Sequence, residues 1–199
     1  MNVKDAIIER RSIKHFDRNH EMTEDEKTEL MNLAMLSPTS FNMQNWRFVL
    51  VDDKNLKEEI KKASFGQNQV ADSSILIILC ADLKAWEKEP KRYFRNAPEE
   101  VQNSIVQYMN GFYNGNERVQ RDEAFRSCGI AAQTIMLAAK GMGYDSCAMA
   151  GYDSKKVAEL INLPEDYIIT MFVVVGKKVK EAQPKDILEY GDVVIKNKF

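Results

Sequence analysis

Cations and a hydroxyl alternate in Arg10-Arg11-Ser12-Ile13-Lys14. If this stretch is extended, a period of two turns Arg10, Ser12 and Lys14 to one face. A guanidinium fork, a neutral O–H donor and an ammonium would then meet the same ligand, a donor set that suits a phosphate group with a second negative region beyond it. Taken alone, the same residues also describe an ordinary solvated face. A second run, Ser37-Pro38-Thr39-Ser40-Phe41-Asn42-Met43-Gln44-Asn45-Trp46, is dense in short hydrogen-bonding side chains. It is either an ordinary helix exit or a loop of the kind that forms sites. A third, Gly143 to Asp153, places small residues where backbone N–H groups can approach a planar ligand, or simply a tight turn.

Other chemistries lack their residues. The only histidines, His15 and His20, have no Cys, Asp or Glu at ligand spacing, so no metal site is expected. No GxSxG elbow occurs, since Phe125-Arg126-Ser127-Cys128-Gly129 lacks the first glycine. Gly141-Met142-Gly143 follows a helical pattern and reads as a helix end, where a dinucleotide fingerprint would follow a strand. Cys80, Cys128 and Cys147 show no CxxC spacing and read as reduced, structural thiols.

The elements that must position these runs are legible. Asn2 can cap a helix carrying Ala6, Ile7 and Ile8, and the pattern changes at Arg10. Thr23-x-x-Glu26 is a capping box ahead of Leu30, Leu33, Ala34 and Leu36, with Ser37-Pro38 as the stop. Trp46–Val51 alternates as a strand, 54–63 reads as a surface helix, and 75–80 as a buried strand. Val101, Ile105, Tyr108 and Phe112 mark an amphipathic helix between Pro98 and Phe112. Ala124, Cys128, Ala131, Ile135, Ala138 and Met142 mark a longer, central one. A short strand is expected over 147–150, a helix capped by Ser154 and ended by Pro164, and a strand over 167–175. After Gly176, apolar residues lie scattered among charges without a helix-length pattern. The irregular order argues for a single α+β domain over 1–199.

The 199 residues carry 28 basic and 30 acidic side chains, a net charge of −2, and 44% are hydrophobic. A folded domain is expected, and a nucleic-acid partner is not. No apolar stretch approaches the roughly 20 residues of a membrane span. The N-terminal residues lack the apolar core of a secretory signal, which points to the cytoplasm.

The three polar runs occur together, in this order and spacing, in the FMN-dependent nitroreductase family, which the sequence resembles along nearly its whole length. Arg10-Arg11-Ser12-Ile13-Lys14-x-Phe16, Ser37-Pro-Thr-Ser-x-Asn42-x-Gln44-x-Trp46, and Gly141-x-Gly143 through Gly151-Tyr152-Asp153 carry the likeness. The resemblance implies a central, mostly antiparallel sheet wrapped by helices, and a homodimer with two flavin sites at its interface. Residues 177–199 would embrace the partner subunit. Arg10 and Ser12 would hold the FMN phosphate with Arg11 adjacent, and Lys14 would lie toward the flavin pyrimidine. Pro38, Thr39, Ser40 and Asn42 would contact the flavin of the other subunit. Gln67 and Gln69 would touch the pyrimidine edge. Met149, Ala150 and Gly151 would flank the ring, the backbone of the last two facing N5 and O4. Lys185 would be the C-terminal cation at the phosphate. Asn45 replaces the usual proline before Trp46, Ala150 stands where several well-known members have glutamate, and no arginine accompanies Lys185.

The resemblance further implies an oxidoreductase that takes a hydride from NAD(P)H onto FMN and passes electrons, in a ping-pong cycle, to a small nitroaromatic or quinone-like acceptor. No side-chain acid or base is required. Phe112 and Tyr113 are candidates to line the acceptor opening, or ordinary helix packing. The same scaffold supports enone reduction, dehalogenation and dehydrogenation, and a flavin-storage module is the alternative outside catalysis.

Overall fold

The computed structural model describes residues 1–199. At its centre lies a four-stranded antiparallel sheet of β1 (Trp46–Val51), β2 (Ile75–Asp82), β3 (Asp145–Met149) and β4 (Tyr167–Gly176), ordered β1-β2-β4-β3. From Ile75 to Ala81, strand β2 is an unbroken apolar run because both of its faces are covered. Ile75, Ile77, Leu79 and Ala81 pack with Val173 and Val175 against α2 (Glu24–Ala34) and α6 (Glu117–Gly141). Leu76, Ile78 and Cys80 face the other way. They pack with Phe172 and Val174 on Ile60 of α3 (Lys54–Ala63), Val70 of α4 (Asn68–Asp72) and Val157 of α7 (Ser154–Leu160). The fold is α+β, as the sequence implies.

The alternation is kept through a bulge. Leu79 pairs with Met171 and Cys80 with Ile169, so Thr170 is the extra residue on β4, and its hydroxyl donates to the Leu79 carbonyl at 2.8 Å. Helix α6 lies along the sheet on small residues: Ala124, Cys128, Ala131 and Ala139 are fully buried, and Ile135 fills the gap between them. Helix α1 (Val3–Glu9) is capped by Asn2, whose Oδ1 accepts from the Asp5 N–H at 2.9 Å. The Thr23/Glu26 capping box of α2 is complete.

Two expectations are corrected. Helix α5 (Glu99–Tyr113) forms, but the stripe of Val101, Tyr108 and Phe112 is exposed. Its buried residues are Met109 and Tyr113, which pack with Met43, Ala85 and Trp86 in a separate small core. The cap of α7 is Asp153, accepting from the Lys156 N–H at 3.1 Å, and Ser154 is the first helical residue. Two adjacent residues can both cap, and the carboxylate takes the position here. Beyond β4 the chain forms only the short α8 (Tyr190–Val193), leaving Ile187, Leu188, Tyr190, Val193 and Phe199 exposed.

Candidate functional site

Helix α1 ends at Arg10, whose backbone turns extended while its N–H still bonds the Ala6 carbonyl at 2.9 Å. The chain then runs beside β3. Ser12 bridges Ser146 in parallel, and the Ile13 N–H reaches the Ser146 carbonyl at 3.0 Å. Ile13 and Phe16 are the buried anchors, so Ser12 and Lys14 face outward as the alternation predicts.

Residues after β4 complete the site from the other side. The Asp17 N–H bonds the Lys177 carbonyl at 2.8 Å and the Val179 N–H bonds the His15 carbonyl at 3.0 Å, so the tail runs back along the Arg10–Phe16 segment. This close approach requires Gly176, where a Cβ would lie 3.0 Å from Phe16 Cδ1 and 3.0 Å from the Ser74 backbone nitrogen. Between the two segments lies a cleft of about 440 Å3 lined by Arg10, Arg11, Ser12, Lys14 and, from the tail, Lys180 and Lys185. His15 also lines it. Four of the residues expected at a phosphate thus converge, and Arg10, Lys14, Lys180 and Lys185 make no ion pair within the chain. Glu181, in the same wall, is taken by Lys178 at 2.8 Å. Arg11 is partly committed elsewhere: its Nη1 donates to the carbonyls of Ile8 at 2.6 Å and Arg10 at 2.8 Å, closing the end of α1.

Beneath the cleft, burial pushes the Cys147 thiol upward, partly countered by the Ser12 hydroxyl and the charges of Lys14 and Arg10. Past β3 the chain emerges at Ala150 and Gly151, both exposed, and neither N–H donates to a protein acceptor. The Gly151 carbonyl accepts from Gln67 Nε2 at 2.8 Å, and Gln67 Oε1 accepts from Gln69 Nε2 at 3.0 Å. The Met149 side chain is buried in the core, so only its backbone is available there.

The second run, 37–46, stands apart. Ser37 Oγ bonds Thr134 at 2.9 Å, Thr39 Oγ1 accepts from the Gln44 N–H at 2.9 Å, and the Ser40 N–H points to the buried carboxylate of Glu123 at 3.4 Å. Phe41, Asn42 and Gln44 all adopt left-handed backbone, with φ of 52°, 48° and 45°. Such residues cost about 1–3 kcal/mol each, so these bonds hold the loop in a shape it would not choose. The loop, with Asn42, borders a separate cavity of about 530 Å3 and does not line the Arg10–Lys14 cleft of the same chain. Phe112 is half exposed beside Phe41 at 6.3 Å, whereas Tyr113, expected beside it at an opening, is fully buried. Its ring packs edge-on against Phe41 at 6.1 Å and supports that residue from below.

The family model described as "Nitroreductase family" matches residues 7–177. The chain belongs to the nitroreductase family. Protein DrgA of Synechocystis is 50% identical to it over 185 residues, spanning 93% of this chain and 88% of that protein. The oxygen-insensitive NADPH nitroreductase of Helicobacter pylori strain J99 is 35% identical over 193 residues, covering 92% and 90%. A solved structure from Exiguobacterium sibiricum, assigned as a nitroreductase and in complex with FMN, superposes with a TM-score of 0.90 at 29% identity, covering 98% and 97%. Family membership makes the chain an oxidoreductase by kinship. No helix of this nitroreductase-family chain is long and apolar enough to cross a membrane.

Two cleft residues escape the sequence reading. His15 is out of phase with the Ser12/Lys14 face, but Ile13 and Phe16 are three apart, so Lys14 and His15 are both exposed. Lys180 carries no signal until the tail is seen folding back.

Proposed function

We propose that this protein is an FMN-dependent NAD(P)H oxidoreductase that reduces nitroaromatic or quinone-like acceptors in a ping-pong cycle, working as a homodimer. The observation that carries the reading is the convergence of Arg10, Ser12, Lys14 and Lys185 in one cleft, the cations without internal counter-ions. A phosphate dianion matches that surplus, and the Ser12 hydroxyl adds a neutral donor. Bound FMN would supply the electron chemistry, accepting a hydride from the nicotinamide and giving electrons to the acceptor. Lys14, one exposed position beyond Ser12, would face negative charge on the pyrimidine side. The free N–H groups of Ala150 and Gly151 would orient the ring, with Gln67 fixing the Gly151 peptide through its carbonyl.

The second subunit enters because Pro38, Thr39, Ser40 and Asn42 lie away from their own chain's cleft. A neighbouring copy would bring them to it. The apolar surface around Leu33, Leu36, Phe125 and Ile130, bordering a cavity of about 820 Å3 at α2 and α6, is what such a copy would cover. The exposed tail residues Ile187, Leu188 and Tyr190 would pack on it as well.

The test is direct. Purified protein should be yellow or take up FMN, release FMN and not FAD on denaturation, bleach with NAD(P)H under nitrogen, and regain colour with a nitroaromatic or quinone. Protein that neither carries nor binds FMN overturns the assignment.

A further inference from the structure

The cavity beside the 37–45 loop has a charge pattern that flavin binding leaves unused. It encloses about 530 Å3, and its wall includes Arg47, Arg92 and Arg95, the amide side chains of Asn42, Gln44 and Asn96, and no carboxylate. In a chain of net charge −2, three guanidiniums around one concavity without an acid form a local positive field.

Two of the three are held in place. Arg47 Nη1 donates to the carbonyls of Gln44 at 2.9 Å and Trp46 at 2.8 Å, which leaves its other N–H groups uncommitted. The Arg92 guanidinium lies 5.0 Å from the centroid of the Tyr93 ring and 3.3 Å from its hydroxyl. That hydroxyl donates in turn to the Ala85 carbonyl at 3.1 Å, so the platform under Arg92 is itself fixed. Arg95 is exposed and has no partner in the chain. The nearby carboxylate of Glu99 is engaged by Lys91 at 3.6 Å. Asn42 ties the two walls together, its Nδ2 donating to the Tyr93 carbonyl at 3.3 Å.

We propose that this cavity is an oxyanion-binding subsite, taking a phosphate or carboxylate carried by one of the two small molecules that the enzyme uses in turn. The proposal rests on the reading of Pro38 to Asn42 as the loop that meets the flavin, because Asn42 belongs to both. Guanidinium forks bind such groups through paired N–H donors. The volume lies within the roughly 300–1,000 Å3 of small-molecule sites, which suits an anion attached to a larger body. A nicotinamide coenzyme brings a phosphate and an acidic aromatic acceptor brings a carboxylate; the recognition chemistry is the same.

The experiment uses the full-length protein with saturating FMN, so that the Arg10–Lys14 cleft is filled. Calorimetry measures binding of adenosine 2′,5′-bisphosphate, and separately of 4-nitrobenzoate against its neutral amide. The double variant Arg92→Gln/Arg95→Gln alters exposed side chains only, and thermal unfolding checks that it folds. Its affinity for one of the anionic probes should fall by about tenfold or more, with the neutral amide unaffected. Loss on the bisphosphate assigns the subsite to the coenzyme, and loss on the nitrobenzoate assigns it to the acceptor. Wild-type protein that binds neither anion, or a variant that binds both as tightly as wild type, overturns the proposal. Flavin content of the same samples keeps the two readings distinct. Retained flavin with unchanged probe affinity sinks only the subsite, and arginine-dependent binding without flavin sinks only the flavin reading.

Discussion

Arg10 and Arg11 are adjacent guanidiniums, of which the period of two turns only Arg10 toward Ser12 and Lys14, and the structure gives Arg11 backbone carbonyls to hold. Arg10 faces the cleft with no competing partner. If a phosphate sits there, Arg10→Ala removes a charge-assisted hydrogen bond of about 1.5–3 kcal/mol. At about 1.4 kcal/mol per tenfold, FMN affinity should fall by roughly one to two decades, with little change in the stability of the apoprotein. Arg11 is occupied by the carbonyls of Ile8 and Arg10. Arg11→Ala hands those carbonyls to water at an exposed helix end, which should cost about 0.5–1.5 kcal/mol of stability. Arg11 also lines the cleft, but its Nη1 is committed to those carbonyls, so Arg11→Ala should weaken FMN binding by less than Arg10→Ala does. Fluorescence titration of apoprotein with FMN and thermal unfolding of both variants provide the comparison. If Arg11→Ala weakens FMN as much as Arg10→Ala, the division of labour is wrong. If Arg10→Ala binds like wild type, the cleft does not hold the phosphate.

Four further outcomes are expected. Gly176→Ala forces a Cβ against Phe16 and the immovable Ser74 backbone, so it should cost about 1–3 kcal/mol and weaken FMN through displacement of Phe16; a wild-type melting temperature and affinity would contradict this. Ala150→Pro deletes a free N–H and should slow flavin reduction by NAD(P)H roughly 10²–10³-fold, whereas Ala150→Gly should stay near wild type, as read by stopped flow on folded, flavin-loaded protein. A chain stopped after Lys185 keeps the cleft but loses the exposed residues 186–199; sedimentation should show a weakened dimer and the isolated protein less flavin, and a flavin-loaded dimer would refute the role given to that segment. Glu26 is held below its ordinary value of 4.5 by the Thr23 backbone N–H first and the Tyr144 hydroxyl next, so its stabilisation is full above about that pH and is lost as pH falls through the lowered value; Tyr144→Phe should lower the melting temperature at neutral pH, and the gap to wild type should close on acidification.

How much of this was legible in the sequence varies with the range of the forces involved. The 46–51 strand and the 54–63 helix follow from local alternation, and Asp53 capping the helix adds a stop between them. Strand β2 was legible because covering both faces leaves no polar position from Ile75 to Ala81. The buried face of α5 was not: Met109 and Tyr113 sit one residue beyond Tyr108 and Phe112, and contact with distant Trp86 decides between two nearly equivalent stripes. The Thr170 bulge likewise leaves no local mark. Within the site, Arg10, Ser12 and Lys14 are readable from a period of two. Gln67, Gly151 and Lys185 are readable only through family resemblance, since their proximity depends on how separate segments meet. The arginine cavity was missed because Arg47 sits in a strand, Arg92 in a short 3-10 helix and Arg95 in the turn that follows it, and no spacing rule joins them.

The cleft walls come from opposite ends of the sequence, joined where the tail lies against residues 15–17. Such a pairing joins residues some 160 positions apart, and it is tied by a few backbone bonds at the margin of the sheet. It should therefore close late in folding and open early in unfolding, independently of the buried strands. A ligand gripping Arg10 on one wall and Lys185 on the other acts as a clasp across that seam. Its departure should raise amide exchange at Asp17 and Val179 together while Leu76 to Leu79 remain protected.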